Sequence, residues 1–513
     1  MSTPSAPSAP SAPSAAGAAT DASRERRARF ALALVCLVLV AVPFLLVQFP
    51  PLTDLPQHVA QIRLLLEAIH DPASPYSVQW LTPYGLSYTV LGVAWGIEGP
   101  LQAGRLAFLL VALLWVSAVH WLAAIERRPA AFTVLASLVV FNHGLYWGFF
   151  PFLFGWPLFV LFLRASAPER RQSFGRSALL VGLSIALYLT HALWFAFAGL
   201  WMAVDGVRAR LAPRDQVRRL LVLAPIGLVA AWWFGGLQSR GFETGTAWIS
   251  SPLDRLVPAA LVDGILGGVR GRSEVLVLGF FALAAVFALV YPRPRSGAAR
   301  MGLDNRLAAL AATFFVLYLI LPLKFQNTIR FAERWLPYAA VSILLALPAP
   351  RRGRAWAAAA LVAMGLFSGL TTLRWMAFDA VEMAGMREAL AALPEHPRVL
   401  GLSYAPQSAL FKTLPFLQDF AYAQVRRGGE LSFSFADYPP SLVVYRPPRA
   451  APWTPGLQFV PERVSREDLE RFPFVLVQGT AADQDRVSRL GGLTPLTASA
   501  RWRLYGRAPS QNP

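Results

Sequence analysis

Pro50-Pro51-Leu52-Thr53-Asp54-Leu55-Pro56-Gln57-His58-Val59-Ala60-Gln61 follows directly on the first long apolar run of the chain, residues 30–49. A run of that length can cross the roughly 30 Å hydrocarbon core of a bilayer. No small-residue cleavage site follows it, so it reads as a retained transmembrane helix and not a removed leader. An acid and an imidazole therefore stand just outside a span. Asp54 and His58 are four apart, and if the turn after Pro56 is helical they share one face. Asp54 is the leading catalytic candidate, with His58 beside it. Asp before Leu-Pro is also a common start for an interfacial helix, with Asp as N-cap, and the two roles are compatible.

The composition agrees with a membrane setting. Of 513 residues, 55% are hydrophobic and only 15% charged, against a usual charged share of about 25% in soluble domains. The net charge of +18 does not point to nucleic acid, because the arginines fall in short clusters between apolar runs and form no single stripe. Lys324 and Lys412 are the only lysines, and this Arg- and Ala-heavy usage suggests a high-GC bacterial genome. Cys36 stands alone inside the first apolar run, which excludes a disulfide framework and a thiolate metal site.

Residues 1–29, a Ser/Ala/Pro repeat followed by Arg24, Arg26, Arg27 and Arg29, read as a disordered cytoplasmic tail. The later arginine clusters lie at 127–128, 164–176, 208–219, 293–306 and 351–354. All can be cytoplasmic if a single crossing separates Pro50 from Arg127. The first external loop is then long, 50–104, and the short glycine-containing stretch 86–97 lies in or dips into the outer leaflet. Spans follow at 105–125, 130–146, 149–163, 177–190, 192–205, 220–234, 274–290, 307–323, 336–347 and 355–373. With the first run this makes about eleven, several of them shorter than the usual length of about 20 residues. Fusing 177–204 into one helix would flip every later cluster to the other side. The expected architecture is an α-helical polytopic membrane protein, with a transmembrane unit over 30–373 and a small extracytoplasmic α/β domain over 374–513. In that domain a helix near 379–393, strands at 399–402 and 474–477 and a helix near 483–490 alternate.

Polar residues gather at the outer ends of the spans. Asn142-His143 precedes Tyr146-Trp147, and Thr190-His191 ends the fifth span. A lone histidine at a helix end more often serves structure. Two on the side of Asp54 and His58 point to a shared cavity, where they would contact substrate. A divalent metal held by Asp54, His58, His143 and His191 is conceivable by ligand type, although the spacing is no metal signature and no metal ligand or other cofactor is assigned. The loop from Lys324 to Trp335 places Lys324, Arg330 and Arg334 outside, against the positive-inside trend, and suits a phosphate-bearing head group. Its structural alternative is an Arg330–Glu333 ion pair.

Taken together, these features resemble the GT-C superfamily of membrane glycosyltransferases, which includes protein O-mannosyltransferases and bacterial aminoarabinose transferases. The resemblance is architectural over 30–373. It has two local stretches: Leu180-Val181-Gly182-Leu183-Ser184-Ile185-Ala186-Leu187-Tyr188-Leu189-Thr190-His191, similar to a glycine-containing helix ending in Thr-Lys or Thr-His, and Arg334-Trp335-Leu336-Pro337-Tyr338, similar to an Arg-aromatic-Leu-Pro segment. The resemblance implies a bacterial inner-membrane enzyme with its tail outside the cytoplasm. It would transfer a sugar, with inversion, from a polyprenyl-phosphate donor to a lipid, glycan or protein acceptor, with Asp54 as base or acceptor-positioning group and no nucleic acid involved. Many members carry a second acid between the third and fourth spans, where this chain has His143. A transporter or flippase of lipid-linked glycans, or a catalytically silent envelope scaffold, is the alternative. A transporter is expected to show matching internal repeats, and no convincing repeat is present.

Overall fold

The computed structural model describes residues 15–170, 173–238, 245–248, 251–292, 303–326, 328–449, 451–498 and 500–507. Helices dominate: α1 (Ala15–Leu45), α2 (Leu55–His70), α3 (Gly85–Glu98), α4 (Pro100–Ile125), α5 (Ala130–Leu138), α6 (His143–Tyr146), α7 (Phe150–Ala165), α8 (Phe174–Thr190), α9 (Ala192–Arg208), α10 (Pro213–Leu220), α11 (Ala224–Gln238), α12 (Pro258–Ile265), α13 (Ser273–Val290), α14 (Asn305–Ile320), α15 (Leu336–Ala346) and α16 (Gly353–Ala377). Five stretches are long and apolar enough to cross a membrane: Ser23–Leu45, Pro100–Ile125, Pro213–Leu237, Ser273–Val290 and Gly353–Glu382. Ala130–Tyr146, Phe150–Ala165, Phe174–Thr190 and Asn305–Ile320 are shorter apolar helices. The protein is thus a multi-pass membrane protein, and each stretch expected to span is helical.

Three sequence expectations need correction. The amino-terminal tail does not extend to residue 29, because α1 already begins at Ala15. Alanine has the highest helix propensity, and the Ala-rich 15–22 segment prolongs the apolar helix behind it. Arg29 in this extension pairs with Glu25 at 2.9 Å; residues 1–14 lie outside the described residues. The span expected at 220–234 is part of a longer stretch that begins at Pro213. The boundary at 373/374 falls inside α16, which continues through a π-helical turn at Phe378–Glu382. The expected break at 190–192 is present as a break between two helices. His191 is extended (φ −168°, ψ 123°) and separates α8 from α9.

Among the described residues, arginines from each of the later clusters lie at one end of the bundle, where they meet helix ends. Arg128 donates to the carbonyls of Leu345, Ala346 and Leu347 at the end of α15 (2.5, 2.8 and 2.8 Å). Arg219 donates to Ser166 beyond α7 (2.6 Å), and Arg176 to the Ala165 carbonyl (2.8 Å). Arg306 binds the Leu163 carbonyl (2.7 Å) and Asp205, which also holds Arg208. The Arg351 amide donates to Tyr291 (2.9 Å). The last carbonyls of a helix have no partner within it, and lipid offers none. These arginines therefore satisfy backbone groups as well as marking a side.

The opposite end carries the loops and the tail. Within the tail a five-stranded mixed sheet runs in the order Glu430–Leu431, Arg398–Ser403, Phe474–Gln478, Trp502–Gly506, Thr494–Pro495. The first two pairings are parallel and the last two antiparallel. The tail does not stand apart from the bundle. Strand Val443–Tyr445 pairs antiparallel with Tyr76–Val78 of the segment between α1 and α4, Ser77 opposite Val444. One hydrophobic core runs from α1 and α4 into Phe416, Phe420 and Val443 of the tail. Two fully buried glutamines one turn apart on α2 fasten the join. Gln61 exchanges two hydrogen bonds with the Val443 backbone (2.8 and 3.2 Å). Gln57 donates to Gln418 (3.0 Å) and accepts from the Phe435 amide (2.9 Å).

Candidate active site

A cavity of about 310 Å³ lies where the loop between α1 and α4, the helix ends beside it and the tail meet. Asp54 and His58 enter it from the start of α2. Tyr84 comes from the residue that precedes α3 and Tyr88 from its first turn, Trp147 and Phe149 from the turn before α7, His191 from the α8–α9 break, and Arg334 from the loop before α15.

Asp54 occupies the N-cap position of α2, yet its carboxylate caps nothing: no side-chain hydrogen bond to the helix is present. The residue is partly accessible and lines the cavity. Burial raises its pKa from 3.8 to about 7, and the Arg334 charge offsets part of that rise. Two backbone bonds pin the Asp54 turn, Thr53 N to the Tyr146 carbonyl (3.0 Å) and Asp54 N to the Trp147 carbonyl (3.1 Å). Gly148 permits this approach. Its φ is +77°, and a Cβ there would sit 2.7 Å from the Asp54 nitrogen. Gly148→Ala is expected to destabilise the protein by about 1–3 kcal/mol and to displace Asp54. Thermal unfolding in detergent, with turnover measured in parallel, checks this. Wild-type values for both would show that the turn has room to give.

His58 Nδ1 lies 3.0 Å from the Tyr88 hydroxyl. Burial lowers its pKa to about 3, a backbone hydrogen bond at Gly148 works against that fall, and Arg334 adds to it. It is neutral at pH 7 and serves as a hydrogen-bonding group. At His191, Nδ1 accepts the Leu193 amide (3.2 Å), which leaves the ring proton on Nε2. Burial and then the Arg334 charge hold its pKa well below the usual value.

Arg334 is buried, with its guanidinium carbon 3.8 Å from the centre of the Phe149 ring. Burial lowers its pKa only to about 10, so it stays charged. Nε and Nη2 share the Ile329 carbonyl (3.3 and 3.2 Å). Among the described residues no carboxylate lies within ion-pair distance of it. Asp54 and Glu333 act on it only from beyond contact distance, and a buried cation with no carboxylate in contact is costly, which leaves room for an anion at the guanidinium.

The structure divides the residues singled out in the sequence. Asp54, His58, His191 and Arg334 share the cavity; His143, Lys324 and Arg330 are not among its lining residues. His143 Nδ1 faces the Gly264 carbonyl at 2.8 Å, and its Nε2 is buried without a partner. Lys324 sits in a two-residue strand opposite Ala247. Arg330 forms the ion pair with Glu333 (2.8 Å) and lies 5.0 Å over Trp147. The conceivable metal set does not assemble: among the described residues no three His, Cys, Asp or Glu side chains are grouped to hold an ion. Sequence reasoning missed Tyr84 and Tyr88, whose spacing of four at the start of α3 was the available signal. It also missed the tail's wall of Gln418, Phe433, Phe435, Tyr438 and Ser441, for which no local signal existed.

A second, apolar groove adjoins the cavity. Val78, Trp80, Leu81 and Trp232 line it, together with Trp233 and Leu237, which belong to both.

At its loop-bearing end the bundle brings Asp54 and Arg334 into one cavity. No protein-family model matches the chain, and no curated protein sequence does. Among solved structures it is similar to ArnT from Cupriavidus metallidurans bound to undecaprenyl phosphate, with a TM-score of 0.53 and 13% identity over 94% of this chain and 98% of that one. The apo state of that ArnT gives a TM-score of 0.45 at 14% identity, covering 94% of this chain and 98% of that one. Arabinofuranosyltransferase AftD from mycobacteria gives 0.46 at 16% identity, over 93% of this chain and 41% of that one. The chain has the GT-C fold.

Proposed function

We propose that this protein is an inverting membrane glycosyltransferase that moves a sugar from a polyprenyl-phosphate carrier to an acceptor hydroxyl outside the cytoplasm. The observation that carries the reading is the presence in one cavity of a carboxyl poised near neutrality and a buried guanidinium with no carboxylate in contact among the described residues. ArnT, whose fold this chain shares, is described bound to undecaprenyl phosphate, and the apolar groove beside the cavity suits an isoprenoid chain.

In this mechanism Asp54 accepts the proton of the acceptor hydroxyl as its oxygen attacks the anomeric carbon. The bond from that carbon to the phosphate oxygen breaks on the opposite face, and its electron pair leaves with the phosphate, which Arg334 stabilises. Neutral His191 and Tyr84 supply uncharged hydrogen-bonding groups in the same cavity. The proton on Asp54 then passes to water. His143, Lys324 and Arg330 support the loops around the site.

The decisive assay supplies the purified chain with radiolabelled polyprenyl-phosphate sugars and an envelope lipid extract. Label should appear in an acceptor with release of polyprenyl phosphate. A flippase would move the intact lipid-linked sugar between leaflets and leave that bond unbroken, and this outcome would replace the reading.

The end where the arginines gather is assigned to the cytoplasm, with about eleven crossings, and residues 374–513 to the outside of a bacterial inner membrane. Reporter fusions after Arg128 and Arg219 should report cytoplasm, and one after Pro513 the outside. A cytoplasmic signal at Pro513 overturns the orientation.

A further inference from the structure

The cavity has two chemically different walls. One is the end of α11, where Trp233, Phe234 and Leu237 continue into the apolar groove. The other belongs to the tail. There Phe433, Phe435 and Tyr438 form a triad with ring centres 6.2–6.5 Å apart, two of the three pairs nearly perpendicular. Gln418 and Ser441 line the cavity beside them. The triad stands next to the chemistry, since the Phe435 ring lies 5.3 Å from His58, one helical turn from Asp54. It is also held in place, because the Phe435 amide is bound by Gln57 and the Val443 backbone by Gln61.

We infer that this tail wall is the acceptor subsite and that the acceptor it takes is a saccharide, presented by the ring face to Phe435 and Tyr438 with one hydroxyl directed to Asp54. The inference rests on the glycosyltransferase reading and adds the acceptor class to it. Aromatic faces carry partial negative charge and attract the polarised C–H face of a pyranose, while amide and hydroxyl groups meet its edge. A saturated lipid chain needs no such alternation of ring faces with Gln418 and Ser441. The wall carries no formal charge, so the phosphate stays with Arg334 across the cavity.

The test uses the full chain in nanodiscs. Saturation-transfer NMR is run with the methyl glycosides of glucose, galactose, mannose and N-acetylglucosamine, and with 1-octanol as an apolar control. Undecaprenyl phosphate binding is measured separately. At least one glycoside should receive saturation on its ring-face protons. That signal should fall at least fivefold in Phe435→Leu and in Tyr438→Leu, return in Tyr438→Phe, and be accompanied by less than a twofold change in undecaprenyl phosphate affinity. Leucine retains apolar volume, and two separate positions guard against one variant failing to fold. Saturation of octanol with none of any glycoside overturns the inference, as does a glycoside signal unchanged in both leucine variants. Loss of undecaprenyl phosphate binding in those variants also overturns it, by giving the wall to the carrier. Wild-type protein that ignores undecaprenyl phosphate but still saturates a glycoside through this wall counts against the glycosyltransferase reading and leaves the saccharide wall standing.

Discussion

Asp54→Asn should lower turnover by about 10²–10⁴ while the protein folds and still binds undecaprenyl phosphate. Asparagine keeps the shape and caps a helix nearly as well as aspartate, and here the carboxylate makes no capping bond to lose. What disappears is the base. The pH dependence identifies it further. With a pKa of about 7, the ionised fraction grows as pH rises through neutrality, so kcat/KM should climb along an acid limb centred near pH 7, well above the ordinary carboxylate range. That limb should vanish in Asp54→Asn.

Stability moves the other way. The folded chain keeps the proton between about pH 4 and 7, where the unfolded chain has already lost it. The contribution of this group to stability is therefore complete below about pH 4 and is lost as pH rises through 7. Above pH 7 the folded wild type must hold a buried carboxylate that the variant lacks. Asp54→Asn should then unfold at the same temperature as wild type or higher. A variant with near-normal turnover removes Asp54 from the mechanism and leaves His58 as the next candidate lining the cavity.

The apolar helices and the place of Asp54 just beyond the first of them were legible because hydrophobic length and charge asymmetry act locally in sequence. The positions of Asp54 just beyond α1 and of His191 between two helices followed from that pattern. Arg334 could be placed at the same end of the bundle as Asp54, but its separation from Lys324 and Arg330 could not. Whether one cation of a loop turns into a cavity depends on which aromatic ring lies beneath it, and Phe149 is 185 residues away in sequence. His143 looked equivalent to His191 because both follow a polar residue at a span end. The carbonyl of Gly264, on an element with no sequence link to His143, drew it behind the wall. The docking of the tail was likewise illegible. It rests on side-chain amides of Gln57 and Gln61 meeting backbone more than 350 residues away, and a buried polar pair on α2 does not announce its partner.

Replacing Arg334 tests the other half of the site. Arg334→Gln removes the charge and the planar fork but keeps length and some hydrogen bonding. Losing a charge-assisted contact to phosphate should weaken undecaprenyl phosphate binding by about 1.5–3 kcal/mol, roughly 10–150-fold. Turnover should fall by a further 10²–10³, approximately, because negative charge on the departing phosphate builds up in the transition state. Arg334→Lys should be intermediate, since an ammonium supplies charge but neither the bidentate fork nor the stacking on Phe149. A second effect reports on Asp54. The Arg334 charge lowers the Asp54 pKa, so its removal should move the acid limb of Arg334→Gln to higher pH than in wild type, while Arg334→Lys should leave the limb close to its original position. A merely structural arginine could cost affinity through a distorted cavity, but it would not shift the limb in one variant and spare it in the other. If both variants keep the wild-type limb and the wild-type affinity for undecaprenyl phosphate, Arg334 is not the phosphate ligand and the anion must be held elsewhere in the cavity.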